Sequence, residues 1–330
     1  MFVKNKNIKI LVNYGVGPAL FIWFTYVIFE QVRTQAHLQD ALNNLRLSVT
    51  GAQSWKLYMA IFLVPVNWGL EARKWQVLLK QVEGIHFFNA FKAVLAGLAF
   101  SMNTPNRIGE YAGRVLYVHE GNRWKAFSLT IIGSFSQLIV TMVMGLGGLL
   151  FLLLNPVTAA GVADYYIWIR VLLSGSVLVT ALLLLIYFRL GQLIRWIEKI
   201  PKAKSFLQHL MVIASLPVTI LLRTIGLSFV RYIIFVFQYI LLLQLFGVDV
   251  AVWHCFWLIS VLYLILAITP TIALAEVGLR GQVSLLLFTL VSANKFGIAG
   301  AATSIWFINL VVPALTGSLL FVSLKIFSDK

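Results

Sequence analysis

The sequence predicts an all-α polytopic membrane protein, and three observations lead to this fold class. Of the 330 residues, 60% are hydrophobic and only 11% are charged, and the mean hydropathy is +0.91. Soluble globular domains carry roughly 25% charged residues, so that class is excluded. Apolar runs close to the ~20 residues that a membrane helix needs recur along the whole chain. Runs such as 177–187 are apolar on every face, whereas the strands of a membrane barrel alternate.

The placement of the basic residues predicts how the helices are oriented. The chain has 26 Lys and Arg against 11 Asp and Glu, which gives a net charge of +15. These residues collect in a few short loops, as the positive-inside bias predicts, so nucleic acid is not an expected partner. Lysines precede the first apolar run and follow the last one. We therefore expect an integral protein of the cytoplasmic (inner) membrane with both termini in the cytoplasm.

The longer apolar runs predict about six full spans. They lie at residues 10–29, 55–70, 126–154, 165–188, 226–246 and 297–321. The first run is not followed by a small-residue cleavage site, so we expect a retained span rather than a signal peptide. A further run, 206–222, is interrupted by Pro217. It is either an interfacial helix or a broken prelude to the next span.

Two shorter runs predict re-entrant hairpins. The run 88–102 has 15 residues, ~22 Å as a helix, which is too short to cross comfortably. If it crossed, the basic cluster from Arg107 to Lys125 would lie outside, against the charge rule. A helix that enters and turns back, continuing through 108–119, keeps this cluster in the cytoplasm. The pair 253–268 and 275–291 predicts a second hairpin, entered from the outside.

These elements predict one integral membrane domain over 1–330, with two repeat-like units at about 55–154 and 226–321. Each unit reads as a span, a hairpin and a span, and the predicted orientations of the two units are opposite. The expected architecture is therefore an inverted repeat with discontinuous helices, as in many secondary transporters. In such a repeat the two hairpin tips meet near the midplane of the bilayer.

The breaks in the two hairpins resemble each other and supply the candidate substrate-binding residues. Both read Thr-Pro, then a glutamate five or six residues after the proline, then an arginine four residues later. Thr-Pro is typical of a helix start, with the Thr hydroxyl as cap. Glu and Arg at i and i+4 share a helix face and can simply neutralise each other, which is the structural alternative. A charge at bilayer depth costs at least ~2.5 kcal/mol, however, which favours a functional role.

Phosphate is the group that this pattern suits. Helix amino termini attract anions, and arginine forks bind phosphate oxygens. The candidate substrate-binding residues are Thr104, Pro105, Arg107, Glu110, Arg114, Thr269, Pro270, Glu276 and Arg280, with Glu71 and Arg73 from the cytoplasmic end of the second span. At that end, arginine snorkelling and aromatic residues are also routine, so Glu71 and Arg73 have a structural alternative.

The same residues resemble a known family. The stretch from Asn67 to Trp75, the segment 104–114, Gln238-Tyr, and Glu276-Val-Gly-Leu-Arg280 look like the transmembrane region of lysylphosphatidylglycerol synthases, whose stand-alone members are flippase-like. The resemblance covers nearly the full chain. It implies a lipid-translocating domain that handles an aminoacylated phospholipid or a polyprenyl-linked substrate. One departure is that Ala273-Leu-Ala275 stands where the family often has a glycine pair before the glutamate.

Two function classes follow. The first is a transporter or flippase for an anionic lipid or lipid-linked precursor, with membrane lipids as its partners. The alternative is an integral-membrane transferase that uses a lipid-linked donor, with Glu110 or Glu276 as general base. The resemblance covers the transmembrane region of the synthases and does not include their aminoacyl-transferase domain. The sequence has no glycine-rich loop of the kind that binds the phosphates of ATP, and its histidines are too scattered to suggest a metal site. We expect no cofactor, no metal and no catalytic residue, and we expect hairpin glutamates to couple movement to protons.

Overall fold

The computed structural model describes residues 26, 51, 53–102, 104, 108–161, 163–197, 211–270 and 273–322. All regular secondary structure in these ranges is helical, which confirms the predicted all-α class. The predicted first span, 10–29, and the loop after it lie outside the described residues, except Tyr26.

The helices follow the predicted elements closely. In chain order they are α1 Ser54–Leu79, α2 Phe87–Ser101, α3 Gly109–Val115, α4 Arg123–Leu154, α5 Pro156–Gly161, α6 Tyr166–Ile197, α7 Met211–Ala214, α8 Val218–Leu245, α9 Val252–Ile268, α10 Ala273–Phe288, α11 Lys295–Trp306 and α12 Val312–Val322. A π-helical stretch, Phe307–Val311, joins α11 to α12, so the two form one continuous rod.

Four segments of the described chain are long and apolar enough to cross a bilayer. They are Glu120–Leu154, Ala163–Gln192, Val218–Leu245 and Lys295–Leu320. The helices α2 and α9 have only 15 and 17 residues, as expected for the first arms of the two hairpins. These apolar helices indicate an integral membrane protein. The count of six spans and the re-entrant course of the hairpins remain predictions.

Pro217 marks the start of α8. The chain breaks after the short helix α7, and Pro217 has an extended backbone (ψ 148°) directly before Val218. Because proline lacks the N–H that would continue the preceding turn, a new helix begins there. Of the two alternatives for 206–222, the described part from residue 211 onward is a broken prelude to the next span. Residues 206–210 lie outside the described ranges.

The helices of the two predicted units pack reciprocally. Helix α1 packs along α8, which is the first span of the other unit. Helix α2, the first hairpin arm of one unit, packs on α12 of the other, and α9 packs in the same way on α4. Each of these contacts therefore has its counterpart when the units are exchanged. This pattern supports a repeat, while its inversion relative to the membrane remains a prediction.

Glycines allow these helices to approach closely, as expected for membrane helices. A Cβ atom on Gly145 of α4 would lie 2.5 Å from the Leu264 Cβ atom of α9, and one on Gly148 would lie 2.7 Å from the Trp257 carbonyl oxygen. At the equivalent contact, Gly317 of α12 lies directly against the backbone of Leu95 on α2. These glycines therefore allow α4 to pack closely on α9, and α12 on α2.

Candidate functional site

The carboxylate of Glu71 is the centre of a buried charge cluster. We predicted that the second span ends at residue 70 and that the charges after it form a flank at the cytoplasmic end. The structure buries Glu71 and Lys74 inside the protein, with only 4% and 1% of their surfaces exposed, while their position at the cytoplasmic end stays a prediction. The reason is that α1 continues to Leu79 and packs its last turns against α2, α4 and α8.

Three cations from three helices surround this carboxylate. Its Oε1 atom accepts a hydrogen bond of 2.9 Å from Nη2 of Arg114 on α3. Its Oε2 atom lies 2.8 Å from Nζ of Lys74 on α1 and accepts a bond of 2.7 Å from Nη1 of Arg231 on α8. Buried charges are tolerated when they are paired and hydrogen-bonded. The cluster therefore fixes the first hairpin and α8 to the same carboxylate.

Arg231 is the residue of this charge cluster that the sequence analysis missed. Its Nε atom donates to Asn67 Oδ1 at 2.9 Å, and its guanidinium stacks over Trp68 (4.8 Å to the ring centroid) and Phe235 (5.2 Å). It belongs to none of the motifs that we compared. The available signal was a single arginine inside an otherwise apolar predicted span, and such a residue marks a site by default.

Lys74 is held by three oxygen acceptors. Besides Glu71, its ammonium donates to the Gly133 carbonyl oxygen at 3.0 Å and to Ser228 Oγ at 3.3 Å. Ser228 in turn shares a hydrogen bond of 2.8 Å with Ser136 of α4. An ammonium group has three donors, so each proton has an acceptor.

The first hairpin contributes the predicted Glu110–Arg114 pair to this cluster. Both partners lie on α3, and Arg114 also bridges to Glu71. At the break, the Thr104 hydroxyl accepts a hydrogen bond of 2.8 Å from the backbone N–H of Gly109, although α3 begins at Gly109, with Ile108 at its N-cap, and not directly after Thr104 as predicted. Pro105 and Arg107 lie outside the described residues.

The second hairpin contributes the Glu276–Arg280 pair, which also forms as predicted, with 2.6 Å between Nη2 and Oε1. Arg280 stacks over Tyr263, 5.6 Å from its ring centroid. The Thr269 hydroxyl donates to the Ile265 carbonyl oxygen at 2.8 Å, and its predicted role as the cap of the next helix stays a prediction. This bond lies at the end of α9, where Thr269 is the C-cap residue. Pro270 is exposed beside it.

A cavity of about 370 Å³ lies between the second hairpin and α8. Of the predicted site residues, Thr269, Glu276 and Arg280 line it, and Arg231 joins them. Glu71, Glu110 and Arg114 are not among the lining residues and connect to the cavity through Arg231. Arg73 is exposed, donates to Gln76, and lies apart from both groups. The ion pairs of the first half of the predicted site thus extend to Arg231, which lines the cavity together with the Glu276 and Arg280 side chains of the second half.

The cavity wall carries several buried polar atoms without a hydrogen-bond partner in the described structure. Four are N–H donors: Nε1 of Trp68, Nε1 of Trp306, Nε of Arg280 and Nδ2 of Asn309. Two are acceptors, Gln137 Oε1 and Asn309 Oδ1, and one is the hydroxyl of Tyr263, which can donate or accept. More than 90% of buried polar groups are normally satisfied, so a cluster of exceptions requires an explanation. Gln238 differs, since it donates to the Ala60 carbonyl oxygen across the α1–α8 contact at 2.8 Å.

Metal ligation has little support within these ranges, where no group of three His, Cys, Asp or Glu side chains comes together. The charges of the cluster are three cations, Lys74, Arg114 and Arg231, against the two carboxylates Glu71 and Glu110. The pair on α10 is neutral overall. When all these groups are charged, the site carries an excess of one positive charge beside a cavity rich in donors.

Comparison with known proteins gives one match. The family model of the lysylphosphatidylglycerol synthase TM region covers residues 10–317. Searches of curated proteins and of solved structures find no significant match. The match includes both hairpins, the buried charge cluster and the cavity, and it identifies a protein of the membrane that is related to lipids. The chain therefore belongs to the lysylphosphatidylglycerol synthase transmembrane-region family.

Proposed function

We propose that this protein is a flippase for an anionic lipid or a polyprenyl-linked lipid precursor, and that it binds the phosphate head group in the cavity between α8 and the second hairpin. The observation that carries the proposal is the set of unpartnered N–H donors on the cavity wall beside Arg231 and Arg280. A phosphate offers only acceptors, so it satisfies donors that no described side chain satisfies.

The size of the cavity fits a head group but not a whole lipid. A volume of about 370 Å³ is at the lower end of the usual range for ligand pockets, ~300–1,000 Å³. Acyl or prenyl chains must therefore remain outside, in contact with the bilayer. This arrangement suits a translocation path, since only the polar part of a lipid needs shielding from hydrocarbon.

The hairpins supply the moving parts in this proposal. The reciprocal packing of α2 on α12 and of α9 on α4 supports a repeat whose halves rock around a central site. The chain from Arg114 through Glu71 to Arg231 joins the first hairpin to the cavity. A head group that draws Arg231 toward it therefore changes the contacts that hold the first hairpin.

The test measures lipid redistribution in vesicles. Purified protein should move a labelled anionic phospholipid or a polyprenyl phosphate between leaflets without changing its covalent structure. Arg280→Ala should slow this movement at least about tenfold, because a hydrogen bond to a charged group contributes ~1.5–3 kcal/mol. Arg170→Ala is the matched control, since Arg170 is exposed and lies on α6, away from the cavity.

A second variant separates binding from structural pairing. Exchanging Glu110 and Arg114 keeps an i,i+4 pair on α3 but moves the cation away from Glu71. Full activity of the folded exchange variant would mean that this pair is purely structural. Failure of the folded parent protein to move any of several anionic lipids would contradict the proposal. A new covalent lipid product with an added donor would support the transferase alternative, in which Glu276, a lining residue of the cavity, is the expected base.

A further inference from the structure

Lys74 and Arg231 contact the same oxygen atom of Glu71, but the two cations differ in their acid–base chemistry. Lys74 and Arg231 both contact Oε2 of Glu71, at 2.8 and 2.7 Å. A guanidinium keeps its charge at all relevant pH values, whereas an ammonium can release a proton. Lys74 is therefore the only one of the three cations around Glu71 that can change its charge.

The groups facing Lys74 balance its two protonation states. Burial and the guanidinium groups of Arg231 and Arg114 favour the neutral amine, while the Glu71 carboxylate favours the ammonium. The remaining neighbours are dipoles from two other helices, the Gly133 carbonyl oxygen and the hydroxyl of Ser228. Any new charge beside Arg231 shifts this balance.

An anion in the cavity changes the charge balance by one unit. With Lys74 charged, three cations face two carboxylates, and one positive charge is in excess. With Lys74 neutral, the cluster is balanced without a ligand. A phosphodiester bound to Arg231 balances the cluster only when Lys74 is charged. The phosphodiester also competes with Glu71 for the Arg231 guanidinium. As Arg231 moves toward the anion, the Glu71 Oε2 atom can interact more strongly with the Lys74 ammonium.

We propose that Lys74 is a proton-binding site coupled to anion binding in the cavity, so that each head group enters together with one proton. The inference rests on the proposed function and names its coupling ion. The step is a simple association: the lone pair of the Lys74 amine takes a proton from water as the anion binds, and the ammonium returns it as the anion leaves. By reciprocity, protonation of Lys74 raises the affinity for the anion.

This assignment replaces the expectation that the hairpin glutamates carry the proton. Glu110 and Glu276 are each paired with an arginine four residues later on the same helix. Loss of the Glu276 charge would leave Arg280 buried without its carboxylate, and loss of the Glu110 charge would leave three cations around the single carboxylate of Glu71. Lys74 faces no such cost, since Glu71 keeps two other cations when the amine is neutral.

The experiment counts protons. Short-chain phosphatidylglycerol is the probe, because its phosphodiester holds one negative charge between about pH 5 and about pH 9. It is added to the purified protein in weakly buffered detergent solution, and the pH change is recorded with binding measured in parallel. We expect uptake of up to about one proton per bound lipid, and an affinity that falls toward tenfold per pH unit where Lys74 loses its proton.

Variants assign the proton to its group. Lys74→Arg keeps the charge but cannot release it, so it should bind the probe without proton uptake and with no slope against pH. Lys80→Met is the matched control near the same end of α1, where the side chain is exposed, and it should behave as the parent. Should Lys74 variants fail to fold, Ser228→Ala removes one acceptor of the ammonium and should move the pH of half-maximal uptake.

The outcomes separate this inference from the proposed function. Binding without proton uptake in the parent protein, or unchanged uptake in Lys74→Arg, would overturn the inference and leave the anion site intact. An unmoved uptake curve in Ser228→Ala would also count against it. Failure of the probe to bind at any pH would contradict the anion site itself, and the inference with it.

Discussion

Replacing Glu71 by glutamine tests whether the buried cluster stabilises the fold. The change keeps the shape of the side chain but removes the charge that contacts Lys74, Arg114 and Arg231. Removing one partner of a buried ion pair typically costs ~3–5 kcal/mol, because the other charge stays buried without compensation. Glu110 still contacts Arg114, so the main cost falls on the two cations that share Oε2. We expect a loss of at least about 3 kcal/mol in the free energy of unfolding.

The assay is equilibrium unfolding in mixed micelles, with Glu83→Gln as the matched control. Glu83 also accepts hydrogen bonds, from Asn122 and from the exposed His119, but it lies near the surface. Exposed pairs contribute ~0–1 kcal/mol, so the control should stay close to the parent. Adding Lys74→Met to Glu71→Gln removes one stranded cation and should recover at least about 1 kcal/mol. A Glu71→Gln protein within about 1 kcal/mol of the parent would refute the reasoning.

Two further predictions concern packing and topology. Gly113→Ala should destabilise the protein by ~1–3 kcal/mol, because its Cβ would lie 2.5 Å from a Cα atom of α2. Gly175→Ala on the exposed face of α6 is the control, since it has open space and should be neutral or stabilising. Thermal unfolding in detergent compares the two variants. In a Cys255→Ala background, Gly121→Cys and Ala293→Cys should label from the inside and the outside of the membrane respectively, as the inverted repeat requires. Labelling of both from one side would contradict it.

Much of the fold could be predicted because membrane helices are encoded locally. The apolar period and the Thr-Pro breaks placed α2 within one residue at each end, 88–102 against Phe87–Ser101. Pairing at i,i+4 is equally local, so both hairpin pairs could be predicted. Burial of Glu71 could not, since a charged run after an apolar run is also the mark of a cytoplasmic flank. Only contacts with α3 and α8, more than 40 residues away, decide between them.

The asymmetry of the two hairpin motifs explains why the site is divided. In the first hairpin, Arg114 reaches from α3 to Glu71 on α1, so the pair becomes part of a charge cluster. In the second, Arg280 bonds within α10 and stacks on Tyr263, so the pair faces the cavity. Two helices that pack in equivalent ways thus use the same Glu and Arg spacing for different purposes. The pair of the first unit contacts Glu71 on α1, and the pair of the second unit lines the cavity.

Arg231 links the charge cluster of the first unit to the cavity of the second. It contacts Glu71 on one side and lines the cavity on the other. In the proposed function, a ligand in the cavity would act on the first hairpin through this guanidinium. Arg231→Lys keeps the positive charge and should therefore keep part of the anion binding. It should weaken the link to Glu71, because lysine lacks the planar guanidinium that donates to Glu71 and Asn67 at the same time. Lipid movement in vesicles should consequently fall more than probe binding does, and an equal fall in both would contradict the linking role.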